Sequence, residues 1–267
     1  MTSGSADLRL ARGSRVAQEA PSRVRTATAL GLPLLAAALW TTRAWRAGPD
    51  LLFLPWNLFL AVVPWLAAIA ATSARSRLLA FAAGGVWLLF LPNAPYLVTD
   101  LVHLRDRQGV PHLYDVLLFA TFGLAGSVLG WDSIARVHRR IVAVIGRRLA
   151  AAAVSGVVLL AGLGVYLGRF ERWNSWDALL RPAPVLADLG AALASPRAVA
   201  FTFLFAAYIG AGYGFFLARE LWPGGARDDD PAPQRPGEVQ AARMDRIPRS
   251  RVDAPEAPGA RRPGELT

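Results

Sequence analysis

Apolar residues along this chain recur at neither a strict helical nor a strand period. They run on continuously, in six stretches separated by short polar segments, at about 26–44, 51–71, 78–98, 114–134, 149–170 and 198–218. Each stretch has the length, about 20 residues, that an α-helix needs to cross roughly 30 Å of hydrocarbon. The runs lack the alternation of barrel strands, and a helix satisfies its own backbone hydrogen bonds in lipid. The pattern therefore predicts an all-α fold, a polytopic membrane helix bundle with about six transmembrane helices. The first run follows an arginine-bearing N-terminus, as the core of a signal peptide does. Its apolar part is long, however, and no small-residue cleavage site precedes Trp40 and Trp45, so it reads as an uncleaved anchor.

The polar ends divide the chain further. Residues 1–25 form an Arg-rich N-terminus expected to be disordered and cytoplasmic, residues 26–222 the membrane domain, and residues 223–267 a tail rich in Pro, Gly, Arg and Asp with no apolar periodicity, expected to be disordered and cytoplasmic as well. The stretch 243–251 is basic enough to lie against anionic lipid.

Composition strengthens this picture. Of 267 residues 54% are hydrophobic and 18% charged, too apolar for a soluble domain to cover its surface. All 29 basic residues are arginine and cysteine is absent. These absences exclude thiol nucleophiles, disulfides, thiolate metal sites, lysine Schiff bases and a phosphate loop ending in Gly-Lys-Ser/Thr. The net charge of +10 is not gathered on one stripe with interleaved aromatics, so nucleic acid is not an expected partner; the lipid bilayer is. Arginine without lysine, with abundant Ala, Gly and Pro, fits a G+C-rich bacterial coding sequence.

Arginine placement predicts orientation. One side would hold Arg9, Arg12, Arg15, Arg23, Arg25, Arg75, Arg77, Arg136, Arg139, Arg140, Arg147 and Arg148, and the other Arg43, Arg46, Arg105, Arg107, Arg169, Arg172, Arg181 and Arg197, twelve against eight. Both termini are thus expected on the cytoplasmic side of the cell membrane. Trp40, Trp45, Trp56, Tyr96, Tyr114, Trp173 and Trp176 fall near the opposite interface, where aromatic belts form.

That opposite side carries the unusual residues. Pro92 and Pro95 each remove a backbone donor, so the third helix must kink or unwind and leave carbonyls free, an arrangement tolerated where it lines a cavity or a protein interior. Asn93 and Asn57 lie at similar depth. They can form part of a site, or simply satisfy the carbonyls freed by Pro92, Pro95, Pro55 and Pro64. Asp100 and His103, three apart, share a helical face, and Asp106, His112 and Asp115 follow. Such groups can act as general acid and base, with Asp100 and His103 the catalytic candidates, or hold a divalent metal through Asp100, His103, His112 and Asp115. No ligand signature of the His-Glu-x-x-His kind accompanies them. The plainer reading is helix capping by Asp100 and Asp115 with salt bridges to Arg105 and Arg107. No cofactor is expected, with a divalent metal as the open alternative.

The fifth helix ends in Tyr166-Leu-Gly-Arg-Phe-Glu-Arg-Trp-Asn-Ser-Trp-Asp177. Arg169 and Arg172 can pair with Asp100 or Asp115 and lock loops together, or clamp a phosphate or carboxylate in bidentate fashion. Trp173 and Trp176 can stack on a head group or act as interfacial anchors. Candidate ligand-binding residues are accordingly Asn93, Tyr96, Asp115, Arg169, Arg172, Trp173, Asn174, Trp176 and Asp177. Small residues four apart at Gly126 and Gly130, Gly164 and Gly168, and Gly210 and Gly214 read as close packing within one bundle. Trp131, Asp132 and Arg136 read as a helix end with neutralising charges, and His138 as solvated.

The run Leu91-Pro-Asn-Ala-Pro-Tyr-Leu-Val-Thr-Asp-Leu-Val-His-Leu104, with Tyr114-Asp115, Gly168-Arg169 and Arg172-Trp-Asn-Ser-Trp-Asp177, resembles the bacterial multi-pass membrane family known as domain of unknown function 1361. The resemblance covers about 51–217. It implies an integral membrane protein of the six-helix type and no assigned activity. It also implies that Asn93, Asp100, His103, Asp115, Arg169, Arg172, Asn174 and Asp177 form one motif set.

Three functional readings follow. The leading one is a protein that binds or transports a polar or lipid-linked small molecule through a pocket on the extracytoplasmic side. The second is a membrane-embedded hydrolase or transferase acting on a lipid-linked substrate. The third is a scaffold or assembly factor whose polar motifs only knit loops together. Nucleotide-driven energy coupling is not expected, and no acidic residue of the kind that carries proton coupling is expected deep in the membrane, since Asp100, Asp115 and Asp132 fall near the interfaces.

Overall fold

The computed structural model describes residues 27–105 and 109–221, with side chains as far as Ala218. The N-terminal segment, Asp106, Arg107 and the C-terminal tail lie outside the described residues. Within them the chain is all-helical. Helix α1 covers 27–47 and α2 Phe53–Ser73; α3, Arg77–Phe90, continues through a one-turn α4, Asn93–Tyr96, into a 3₁₀-helix, Leu97–His103. Then follow α5 (His112–Ile145), α6 (Arg147–Phe170), the single turn α7 (Asp177–Leu180), α8 (Pro182–Ala194) and α9 (Pro196–Leu221).

Five of these segments are long and apolar enough to cross a membrane: α2, Arg77–His103, α5, α6 and Pro196–Ala218. They coincide with five of the six expected runs. Helix α1, expected as a further span, is not among the five; Thr41, Thr42, Arg43 and Arg46 fall in its last turns and lower its apolar content. Its threonines bond back to the carbonyls of Ala37 and Ala38 at 2.8 and 2.9 Å, which satisfies both hydroxyls inside the helix. Large apolar side chains point outward all round the bundle, Phe81 at 80% and Phe215 at 73% exposure among them. In water that surface would aggregate, whereas lipid covers it without cost. The protein is a helical integral membrane protein.

Helix α5 is the central element. In its most apolar window 61% of the residues are buried, against 17–44% in the other four spans. At 34 residues it is about 51 Å long, so it passes through the hydrocarbon and beyond it. That length corrects the expectation for Asp132, which is no helix end. It is fully buried inside α5, accepting from Trp65 Nε1 of α2 at 2.7 Å and from Arg136 Nε at 2.6 Å. His138, expected to be solvated, lies half-buried with Nδ1 2.7 Å from the Tyr213 hydroxyl of α9.

One apolar cluster joins α1, α2, α4 and α5 through Leu54, Leu58, Leu118, Phe119 and Phe122; a second joins α2, α3, α5, α6 and α9 around Trp87, Ile134 and Ile209. The Gly126/Gly130 and Gly164/Gly168 pairs pack as expected within the bundle. A Cβ on Gly126 would strike the Ala94 carbonyl and Leu97 Cδ1, and one on Gly164 the Pro92 ring. By contrast a Cβ on Gly214 would meet nothing within 4 Å.

Candidate functional site

The kink begins with missing donors. Pro92 and Pro95 have no N–H, and beyond Leu91, whose N–H still reaches Trp87, the Ala94 N–H shifts to the Leu91 carbonyl at 3.1 Å, which leaves Phe90 O without its helical partner. Asn93 Nδ2 takes that carbonyl at 2.9 Å and also donates to Ser175 Oγ at 2.8 Å. Asn93 thus satisfies a freed carbonyl, as expected of it, and also ties the kink to the loop after α6. Asn57 does not serve a proline-freed carbonyl; its Nδ2 donates to Asp100 Oδ2 at 2.8 Å.

Asp100 is buried to 1% exposure on the 3₁₀-helix. Its second oxygen lies 3.8 Å from Arg169 Nη1 of α6. Arg169 Nη2 is 3.2 Å from His103 Nε2, and because a guanidinium has no acceptor, the imidazole can only accept there. The His103 ring also packs edge-on against Phe53, with centroids 5.1 Å apart. Asp100, itself held by Asn57, and His103 together flank the Arg169 head group.

At the end of α6 the chain reverses through Arg172, whose φ of +61° is left-handed. This position normally falls to glycine, because a side chain here costs about 1–2 kcal/mol. The turn brings the Trp173 N–H back to the Leu167 carbonyl at 3.2 Å. Arg172 is exposed and forms no ion pair among the described residues. Trp173 Nε1 donates to Asp188 Oδ2 of α8 at 2.8 Å, and Arg181 stacks over its ring at 5.2 Å. Asn174 donates from its backbone N and from Nδ2 to Asp177 Oδ2, at 2.8 and 3.2 Å, which closes the turn into α7.

These segments enclose a cavity of about 540 Å³. Trp56, Asn57 and Leu60 come from α2, Leu89 from α3, Asn93, Tyr96 and His103 from the kinked segment, Leu167, Gly168 and Arg169 from α6, and Arg172, Trp173, Asn174 and Ser175 from the loop. Ala178 and Val185 close it from α7 and α8. Of the residues expected to form a site, Asn93, Tyr96, His103, Arg169, Arg172, Trp173 and Asn174 line this space, and Asp100 stands behind Arg169.

The others lie elsewhere. Asp115 does not pair with Arg169 or Arg172; its Oδ1 accepts from Arg43 Nε of α1 at 2.7 Å, both side chains 1% exposed, and Arg43 also binds Asp50. Neither Asp100 nor Asp115 makes the expected helix cap. His112 is exposed, Trp176 is half-buried outside the cavity wall, and Asp177 serves the Asn174 turn. Among the described residues no three His, Asp or Glu side chains converge as metal ligands, so the four metal candidates do not form one cluster.

Sequence reading overlooked Arg43, Asp50, Ser175 and Asp188. Asp188 had a signal, since it is the one charged residue of the apolar helix α8. Arg43 had one too, an arginine within an otherwise apolar helical run. Ser175 had none.

A family described as "Protein of unknown function (DUF1361)" matches residues 56–211. The chain belongs to this family. The DUF1361 match contains every residue that lines the cavity and leaves out α1, with Arg43 and Asp50. No curated protein and no solved structure matches the chain.

Proposed function

We propose that this protein binds or transports an anionic polar or lipid-linked small molecule through the cavity between α2, the kinked segment, α6 and the 171–175 loop. The observation that carries the reading is the make-up of the wall: among the described residues two guanidiniums, three side-chain amides and no carboxylate line it. Arg169 is oriented by Asp100 and His103, while Arg172 keeps its donors for a ligand. Two planar forks at one cavity suit the bidentate recognition of a phosphate or carboxylate. Both catalytic candidates are engaged in holding Arg169, which favours recognition over hydrolysis. The arginine distribution supports cytoplasmic termini and a cavity on the extracytoplasmic side of the cell membrane. It does so more strongly once Arg43, neutralised by two aspartates within the fold, is left out of the loop tally.

The test uses the full chain in detergent. Inorganic phosphate and dioctanoyl phosphatidic acid are titrated against native protein and Arg172→Gly, with thermal unfolding as readout. At least one probe should stabilise the native protein and require about tenfold more ligand in the variant. The variant itself should unfold no earlier than the native chain, since glycine is relaxed at the left-handed position. A native protein indifferent to both probes overturns the reading. Release of phosphate from dioctanoyl phosphatidic acid, lost in His103→Ala, would put the enzyme in its place.

A further inference from the structure

We infer that the anion entering this cavity is the head group of a lipid that slides in sideways from the bilayer, with its chains lying along α2. The inference rests on the anion-binding reading above and specifies its ligand.

Three observations lead to it. First, Trp56 belongs to two surfaces at once. It lines the polar cavity and also bounds an outward apolar groove with Leu52, Phe53, Pro55 and Phe59. Leu52, Trp56 and Phe59 are each more than half exposed, at 59%, 53% and 58%, and the rings of Trp56 and Phe59 lie 5.7 Å apart. The guanidinium-lined space and a lipid-facing groove thus share a wall.

Second, the opposite wall is apolar as well. Helix α8 has 13 residues, about 20 Å, too short to cross hydrocarbon, and it lies at the same end of the bundle as the cavity. Its one charged side chain, Asp188, is engaged by Trp173, while Leu186 and Leu193 are exposed at 63% and 60%. Leu179 and Leu180 of α7 are exposed at 72% and 74%. A helix presenting only apolar side chains outward belongs in lipid and not in water. The helix that contributes Val185 to the cavity therefore places that rim at membrane depth.

Third, the lining is itself two-sided: Leu60, Leu89 and Leu167 stand with Arg169 and Arg172. A small hydrated anion gains nothing from the leucines, whereas the glycerol and first methylenes of a lipid do.

Three probes separate these sources in the detergent-purified full chain: dioctanoyl phosphatidic acid, glycerol 3-phosphate with the head group alone, and dioctanoylglycerol with the chains alone. Phosphatidic acid should stabilise the native protein against heat at concentrations about 100-fold below those needed for glycerol 3-phosphate, and dioctanoylglycerol should not stabilise it. Phe59→Ser, which touches the groove and not the cavity, should weaken the response to phosphatidic acid at least about fivefold and leave that to glycerol 3-phosphate unchanged. Arg172→Gly should weaken both. Equal potency of the two phosphates overturns the lipid inference and leaves anion binding standing, as does a Phe59→Ser variant with an unaltered response to the lipid. Stabilisation by dioctanoylglycerol as strong as by phosphatidic acid, or a lipid response untouched by Arg172→Gly, marks non-selective lipid coating and overturns both readings. So does a native protein that responds to none of the three.

Discussion

Arg43 is the most consequential single side chain outside the cavity. It is 1% exposed in a helix of the membrane domain, and its donors go to Asp115, equally buried, and to the half-exposed Asp50. Removing one member of such a pair leaves an uncompensated charge where solvation is poor, whereas replacing both by apolar groups of similar volume removes the desolvation penalty with the attraction. Arg43→Met should therefore lower stability by about 3–5 kcal/mol, and the double change Arg43→Met with Asp115→Leu should recover most of that loss. Thermal unfolding of the four proteins in one detergent closes the cycle. If Asp115→Leu alone were neutral, the ion pair would not be what ties α1 to α5. This pair also shows what the sequence could not supply for Asp115. The bridge expected from Arg107 lies outside the described residues, whereas the bond from Arg43 spans 72 positions, and only packing of α1 on α5 brings those two together.

At the scale of elements, the kinked segment is held by glycines as much as by its own hydrogen bonds. Gly126 of α5 lets the Ala94 carbonyl approach, and Gly164 of α6 receives the Pro92 ring. A methyl at either place meets groups that cannot swing aside, a backbone carbonyl in one case and a proline ring in the other. Gly126→Ala and Gly164→Ala should each cost about 1–3 kcal/mol by overpacking, whereas Gly156→Ala, with nothing within 4 Å, should be neutral or gain about 0.5–1 kcal/mol from helix propensity. Thermal unfolding measures all three, and equal losses at Gly126 and Gly156 would remove the argument from close approach. The spans were legible because lipid imposes length and continuity on them, and the kink was legible because Pro92 and Pro95 leave no other option. The cavity was half legible. Asn93, His103, Arg169 and Arg172 stand out as polar residues at the expected outer end of the spans, where the topology brings their segments to one side. The left-handed turn that aims Arg172 and the pairing of Asp188 with Trp173 depend on φ values and helix rotations that no spacing encodes.

For the described residues, the alternation of helices places 48–52, 104–105, 109–111 and 171–195 at one end of the bundle and the turns 74–76 and Gly146 at the other. The absence of cysteine makes the native chain a ready background for site-directed labelling. Arg105 and Ser76 are exposed and lie at opposite ends. With the proposed orientation, a membrane-impermeant maleimide added to intact cells should modify Arg105→Cys and leave Ser76→Cys untouched until the membrane is opened. The reverse pattern overturns the orientation, and modification of both from one side overturns the alternation itself. A third position, Ser5→Cys, addresses α1. Its apolar content sets it apart from the five segments that qualify as spans, yet the Arg43 pair seats it against α5. An α1 that crosses puts Ser5→Cys on the same side as Ser76→Cys. An α1 that turns back puts it with Arg105→Cys, reduces the bundle to five spans and places the N-terminus on the same side as the cavity.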